Sequence, residues 1–315
     1  AEKAELLKSG VVSITPVQQG AYAALKEDGT VVTWGKDGYG AQSISEDSAL
    51  PKISALYSYD DAVAAIDVNG NAIAWGSNES GGDITYNNSK TPTNVVNIVS
   101  TNYSGAFAAL TKEGNVIAWG TANEGGNEPA LTNIKQLFSS WAAMVALDGD
   151  GNATAWGYVN SGGDSGSKDL TNIRTVYSTS HEFVAVKNDG SLISWGWEHA
   201  DRIPMPEGLH DIESITATSG ATVALKQDGT LAVWGLDQRS DKTDQNASGN
   251  YGAIADNVND QLNNISHVYA NRYAFTAVSL DGRVVTWGKG DAGGDSDAVQ
   301  DFLLAKAETE EKIAQ

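Results

Sequence analysis

The chain has 315 residues, no cysteine and a formal net charge of −20 at pH 7, from 40 acidic and 20 basic residues. The absence of cysteine excludes disulfide bonds, thiolate metal sites and a cysteine nucleophile. The acidic balance argues against a nucleic-acid surface, because phosphate binding depends on lysine and arginine, and favours either a basic partner or a plain solvated surface. The sequence contains no apolar run of about 18 residues, so it does not predict a membrane-spanning helix.

The sequence begins and ends with segments that predict short helices. Residues 1–10 and residues 299–315 are rich in helix formers and charged side chains. They are interpreted as an N-terminal helical segment and a C-terminal helical tail on either side of one repeating domain, residues 11–298.

That domain repeats a short pattern seven times. Each copy ends in a Trp-Gly pair, and six residues before the Trp stands an acidic residue or Asn followed by Gly. The spacing inside the pattern is constant, whereas successive Trp residues lie 37 to 53 positions apart, so every length change falls in the connections. The seven Trp residues are Trp34, Trp75, Trp119, Trp156, Trp195, Trp234 and Trp287.

Each copy predicts at least three strands. Alternating apolar segments such as 21–25 and 31–34 flank the turn Asp28-Gly29, which is a strong hairpin signal because Gly accepts the positive φ of a tight turn. Apolar residues three apart, such as Val11 and Ile14, predict a further strand upstream. A unit of this size cannot bury its faces alone, so we predict an all-β, seven-bladed β-propeller.

The pattern A-x-A-L-x-x-D-G-x-x-x-x-W-G followed by a Gly-rich loop resembles the repeat of the regulator of chromosome condensation family. The resemblance covers about residues 11 to 296. It is shared with bacterial secreted and adhesin-like proteins and with a propeller-type β-lactamase inhibitory protein, so it implies a propeller and a set of differing functions.

Motifs for catalysis or cofactor binding are scarce. The four His residues show no zinc-ligand spacing, and neither a nucleophile elbow nor a phosphate-binding Gly loop occurs. Asp148, Asp150 and Asn152 imitate a calcium loop but coincide with a predicted hairpin turn. Gly-Gly-Asp loops after several Trp-Gly pairs are interpreted as chain reversals, with metal binding as the alternative. We therefore expect no enzyme activity, no cofactor and no metal.

The most informative variation lies in the loop before the middle strand of each copy, which the fold places at equivalent positions on one face. These loops contain the aromatic and Arg residues typical of binding hot spots, although inward packing is the alternative. The predicted partner-binding residues are Tyr59, Asp60, Tyr103, Trp141, His181, Arg272 and Tyr273. The fifth and sixth copies also depart from the pattern after their Trp, which adds Trp197 and His199 as secondary candidates and a polar excursion over 237–259.

These features favour a non-catalytic protein-binding propeller, secreted or surface-associated in a bacterium, with neither nucleic acid nor membrane insertion involved. A carbohydrate-binding adhesin or lectin is the alternative, using Trp and Tyr rings to stack on sugars. Guanine-nucleotide exchange is implied by the family's namesake alone, and the acidic charge argues against it.

Overall fold

The computed structural model describes residues 2–17, 20–36, 50–59, 61–85, 90–102, 105–196, 200, 202–239, 246–256 and 258–296. The protein divides into two compact units, Ala1–Ile173 and Arg174–Gln315. The described residues form seven antiparallel sheets, one for each repeat, here numbered I to VII in sequence order. The sheets confirm the all-β class and supply the seven blades of the predicted seven-bladed β-propeller.

The first unit contains the N-terminal helix and sheets I to IV, each with three strands in sequential order. Its elements are α1 (Glu2–Leu6), β1 (Val11–Val17), β2 (Ala21–Lys26), β3 (Val31–Gly35), β4 (Ile53–Tyr59), β5 (Ala62–Asp67), β6 (Ala72–Gly76), β7 (Val95–Ser100), β8 (Ala106–Thr111), β9 (Val116–Gly120), β10 (Ile134–Ser139), β11 (Ala143–Asp148) and β12 (Ala153–Gly157). Helical turns follow three of the Trp-Gly pairs at Asn78–Gly82, Ala122–Glu124 and Val159–Ser161.

The second unit contains sheets V to VII, and its first strand begins at the last residue of the first unit. Sheet VI has four strands in the order β16-β19-β18-β17, while sheets V and VII have three. The strands are β13 (Ile173–Ser178), β14 (Glu182–Lys187), β15 (Leu192–Gly196), β16 (Arg202–Ile203), β17 (Ile212–Ala217), β18 (Ala221–Lys226), β19 (Leu231–Leu236), β20 (Ile265–Ala270), β21 (Ala274–Ser279) and β22 (Val284–Gly288), with helical turns at Asn259–Gln261 and Gly290–Ala292.

The predicted C-terminal tail, residues 299–315, lies outside the described residues, whereas residues 2–6 of the N-terminal segment form α1. Among the residues described, no helix is long and apolar enough to cross a membrane.

The middle strand of each sheet is the most buried. All six residues of β5 and of β8 are buried, because a neighbouring sheet covers each face of the strand. The small side chains Ala64, Ala65, Ala108 and Ala109 have no exposed surface. Small residues let adjacent sheets approach closely, and this accounts for the Ala-rich pattern before each aliphatic residue.

Several of the hairpin glycines also hydrogen-bond to the first strand of the next sheet. The Gly29 carbonyl accepts a hydrogen bond from the Ile53 amide at 2.8 Å, and Gly70 and Val95 repeat the contact at 2.8 Å. Gly29 has φ of +82°, and a Cβ on it would lie 2.9 Å from the Lys52 side chain. In these sheets the turn glycine thus serves both the hairpin and the contact with the following strand.

Several of the repeat Trp residues pack against a neighbouring sheet, as their size predicts. Trp119 is fully buried, lies 5.6 Å from Phe107 in a stacked arrangement, and donates its indole N–H to the Gly81 carbonyl at 2.9 Å. Trp156 and Trp287 make the same bond to glycine carbonyls in the preceding sheet's loop. In these three cases the glycines after the Trp-Gly pair therefore provide close packing and an acceptor as well as a chain reversal.

In sheet VI the Trp has a different acceptor, and in the fifth repeat no glycine lies between the Trp-Gly pair and β16. Trp234 donates to the carboxylate of Glu182, with N–O distances of 3.3 and 3.4 Å. Thr222 hydrogen-bonds to the same carboxylate at 3.2 Å, and the Arg202 guanidinium forms an ion pair with it. Glu182 is 4% exposed and occupies a position that is Ala in the other six copies. Arg202 belongs to β16, the extra strand of sheet VI.

Candidate functional site

The loop that joins the first strand to the middle strand, here called the first loop, lies beside the end of the third strand in each sheet where both are described. The Ala142 carbonyl accepts a hydrogen bond from the Tyr158 amide at 2.8 Å, and Tyr273 and Lys289 form the equivalent bond at 3.1 Å. The first loops and the loops that follow the Trp-Gly pairs therefore share one end of each sheet. The Asp-Gly hairpins occupy the other end.

The structure brings together three of the predicted binding residues. His181, Arg272 and Tyr273 lie on first loops of the second unit. Tyr59 and Trp141 are partly buried at the corresponding end of sheets II and IV in the first unit. The remaining predicted residues, Asp60, Tyr103, Trp197 and His199, lie outside the described residues.

Arg272 lies on a backbone that is fixed from the neighbouring sheet. Its carbonyl accepts two hydrogen bonds from Ser219, one from the amide at 3.0 Å and one from the hydroxyl at 2.8 Å. The side chain itself is exposed. The first loops of sheets VI and VII are thus joined directly, and the guanidinium projects from a restrained segment.

Asn271 fixes the same loop from the other side. Its side-chain oxygen accepts hydrogen bonds from the amides of Tyr273 and Ala274 at 2.8 and 2.9 Å, and its side-chain amide donates to the Ala292 carbonyl at 2.7 Å. Side-chain caps of this kind replace backbone partners in a turn and hold its conformation. Three consecutive residues of this loop are therefore held by neighbours.

Two cations and a second ring surround Tyr273. The Arg272 guanidinium carbon lies 5.3 Å and the Lys289 ammonium 5.7 Å from the centroid of the Tyr273 ring. The Tyr251 ring centroid lies 6.0 Å away at an interplanar angle of 31°. We call Tyr251, Arg272, Tyr273 and Lys289 the aromatic-cation cluster. Both cations are within the distance at which a ring quadrupole attracts positive charge.

Tyr251 enters the cluster from the polar excursion after sheet VI. Its carbonyl accepts a hydrogen bond from the Thr218 hydroxyl at 2.8 Å. Its ring lies against Gly220, where an added Cβ would come within 2.7 Å of the ring. Gly252, the next residue, packs on Phe275 and accepts the Trp287 indole N–H at 3.0 Å. The excursion thus provides the same glycine carbonyl for the Trp indole as the shorter loops do. It also places an aromatic residue, Tyr251, next to that glycine.

The two cations of the cluster differ in their partners. Lys289 forms an ion pair with Asp291 at 3.2 Å. Among the described residues, the Arg272 guanidinium forms no ion pair with a carboxylate. Within the described residues, the planar set of N–H donors of Arg272 therefore has no carboxylate partner.

His181 is half-buried beside the first loop of sheet VI. Burial lowers the pKa of His181 below its ordinary value of 6.5, and a hydrogen bond to the Ser219 backbone partly offsets this effect. His181 is thus in contact with the residue that also holds Arg272.

The hairpin ends of the sheets have a different chemistry. The Asp228 carboxylate accepts hydrogen bonds from the hydroxyl and the amide of Thr230 at 2.5 and 3.0 Å. These bonds lower the pKa of Asp228 to about 2, with the hydroxyl making the largest contribution. Asp148 likewise accepts bonds from the amides of Asp150 and Asn152, so the resemblance to a calcium loop coincides with a capped turn.

In the part of the protein that the structure describes, no group of three or more His, Asp or Glu side chains is placed to hold a metal ion. Sequence reasoning found Arg272 and Tyr273 but missed Tyr251 and Lys289. These two come from the loops that follow Trp-Gly pairs, and only the shared end of the sheets brings them next to the first loop.

No protein-family model and no curated protein matches this sequence. Solved structures include similar proteins at low identity. The ectodomain of the Physcomitrella patens receptor kinase CR4 is 15% identical and has a TM-score of 0.47, and the match covers 89% of this protein and 72% of the ectodomain. Yeast RCC1 (Prp20), solved with Kap60 bound, is 19% identical and has a TM-score of 0.46, with 90% and 71% covered. The ectodomain of the Arabidopsis thaliana receptor kinase ACR4 is 15% identical and has a TM-score of 0.46, with 90% and 95% covered.

Proposed function

We propose that this protein is a non-catalytic protein-binding module and that the aromatic-cation cluster is the centre of its binding surface. The observation that carries the proposal is the assembly of Tyr251, Arg272, Tyr273 and Lys289 from three separate loops at one end of the second unit. Tyr and Arg are the residue types that dominate binding energy at protein interfaces.

The restraint on these loops supports the same proposal. Ser219 and Asn271 fix the backbone of the Arg272 loop through five hydrogen bonds between 2.7 and 3.0 Å. A surface that is already ordered loses little conformational entropy when a partner docks, so more of the contact energy is left for affinity.

The geometry favours a protein partner over a carbohydrate. A sugar ring stacks on a free aromatic face, whereas Arg272 and Lys289 both lie over the Tyr273 ring. Guanidinium and ammonium groups next to aromatic rings offer the mixture of charge-assisted hydrogen bonds and apolar area typical of protein recognition.

The test is selection of binding partners from a displayed library of protein fragments, followed by affinity measurement on variants. We expect Tyr273→Ala and Tyr251→Ala each to lower the affinity for the selected partners by about thirtyfold or more, the loss typical of a central hot spot. Lys226→Ala at a hairpin end is the matched control, and its effect should stay below about fivefold. Partners that bind both Tyr variants as well as the wild type would refute the proposed surface.

A parallel glycan array tests the alternative. Binding to a defined glycan that Tyr273→Ala abolishes, with no fragment selected from the protein library, would replace protein recognition by a lectin function. A secreted or surface location is part of the proposal through the family resemblance alone. Detection of the protein only in the cytosol of its source cells would contradict it.

A further inference from the structure

The inference concerns the chemistry of the partner and rests on the proposed function. Arg272 is exposed, its guanidinium lies 5.3 Å from the Tyr273 ring centroid, and no carboxylate among the described residues pairs with it. The neighbouring cation, Lys289, already has Asp291 as its partner. We propose that Arg272 is the anchor for a single carboxylate of the partner protein.

The guanidinium suits this role because of its shape and its support. A guanidinium over an aromatic ring keeps its N–H donors in the plane, where a carboxylate can accept two parallel hydrogen bonds. The hydrogen bonds from Ser219 to the Arg272 carbonyl hold the backbone from which the side chain extends. The pairing therefore requires little reorganisation of the protein.

The net charge of the protein limits the partner further. With a net charge of −20, the protein repels a long acidic segment at distances up to about one Debye length, near 8 Å at physiological ionic strength. A single carboxylate within an otherwise neutral or basic segment escapes most of that repulsion and still reaches Arg272. The partner surface is thus neutral or basic overall and presents one acidic group at its centre.

The first experiment uses small probes and the complete protein. N-acetylglutamate α-amide represents a side-chain carboxylate, N-acetylglycine represents the terminal carboxylate of a polypeptide, and N-acetylglutamine α-amide is the uncharged control. We expect at least one carboxylate probe to cause a saturable NMR shift of the Arg272 side-chain Nε–Hε signal. The affinity read from that titration should be at least tenfold higher than that of the amide control. Which of the two binds more tightly identifies the source of the carboxylate.

Variants separate this site from general attraction to positive charge. In both variants, binding of the carboxylate probe is measured from the NMR signal of the Tyr273 backbone amide. Arg272→Gln should abolish saturable binding, and Arg272→Lys should weaken it because the paired donors are lost. Lys226→Gln at the hairpin end should leave it unchanged. Equal responses to the charged and uncharged probes, no saturable response, or a response that persists in Arg272→Gln would each overturn the inference.

The second experiment distinguishes failure of this inference from failure of the proposed function. Each Asp and Glu of a selected partner is replaced by Asn or Gln. We expect one replacement in the partner to weaken its binding to the wild-type protein at least tenfold. The same replacement should cause no further loss of binding to the Arg272→Gln variant. Dependence on Tyr273 without any such carboxylate would overturn the inference and leave the proposed function standing. Independence from Tyr251 and Tyr273 would remove the proposed function itself.

Discussion

Glu182 provides the sharpest test of how the sheets are held together. Its buried carboxylate accepts the Trp234 indole N–H, bonds to Thr222 and pairs with Arg202. Glu182→Ala restores the residue found at this position in the other six copies, yet it leaves three polar groups without their acceptor. We expect the variant to be less stable than the wild type, although it matches the repeat pattern better.

The magnitude follows from the burial of the pair. Removing one partner of a buried ion pair costs about 3 to 5 kcal/mol, and an unsatisfied buried indole N–H costs about 1 to 3 kcal/mol, with overlap between the two. The Arg202 side chain is 18% exposed, so water partly compensates its lost partner. We therefore expect Glu182→Ala to lower the free energy of unfolding by about 3 kcal/mol.

Two further variants separate charge from hydrogen bonding. Glu182→Gln keeps an acceptor for Trp234 but removes the charge, so its loss should be smaller. Glu182→Ala combined with Arg202→Met removes both charges and should recover part of the stability. A double-mutant cycle over these changes should give a coupling of at least about 1 kcal/mol.

The assay is urea unfolding combined with hydrogen exchange, since a repeat protein can unfold in parts. Amides of β18 and β19 should exchange faster in Glu182→Ala, while amides of β8 in the first unit serve as the internal reference. A loss below about 0.5 kcal/mol, the range of an ordinary surface substitution, or equal acceleration in both units, would refute the reasoning.

Three other predictions concern single side chains. Trp119→Ala should lower the free energy of unfolding by about 3 to 5 kcal/mol, because the fully buried ring leaves a cavity, and an unchanged urea midpoint would contradict its place in the core. By NMR, Asp228 should titrate at a pKa of about 2, so its stabilising effect is complete above its ordinary value of 3.8 and is lost as the pH falls towards 2. Thr230→Val should raise that pKa towards 3.8, and a pKa that does not move would show that the hydroxyl is not the cause. The His181 pKa should lie below 6.5, so its neutral form dominates at pH 7 and the unfolding free energy declines as the pH falls through the ordinary His range, whereas a pKa above 6.5 would contradict its burial.

The sheets were predictable because the repeat fixes local chemistry at a constant spacing. Alternating apolar residues around Asp28-Gly29 specify a hairpin, and β2 and β3 form it with Ala21 opposite Gly35. The sequence did not reveal that the carbonyl of the turn glycine also accepts a hydrogen bond from the first strand of the next sheet. That contact arises between sheets, and turn chemistry alone already explains a glycine with positive φ.

The candidate site was predictable only in part. Arg272 and Tyr273 stand in a first loop whose position is fixed by the repeat, so their location at one end of the sheet could be inferred. Tyr251 and Lys289 follow Trp-Gly pairs, and the excursion that carries Tyr251 has a length no other copy shares. Glu182 left a signal that could have been used. It replaces Ala in a copy whose Trp-Gly pair is followed by five residues without a glycine, 197–201, so the Trp of the next sheet needs another acceptor.

The central claim is that a partner docks on the aromatic-cation cluster, and hydrogen exchange of the complex tests it most directly. The measurement compares amide protection with and without a selected partner, at first-loop residues 218–220 and 271–274 and at hairpin residues 228–230 and 281–283. We predict added protection in the first loops of sheets VI and VII and none at the hairpins. Protection confined to the hairpin ends, or to the first unit alone, would contradict the account.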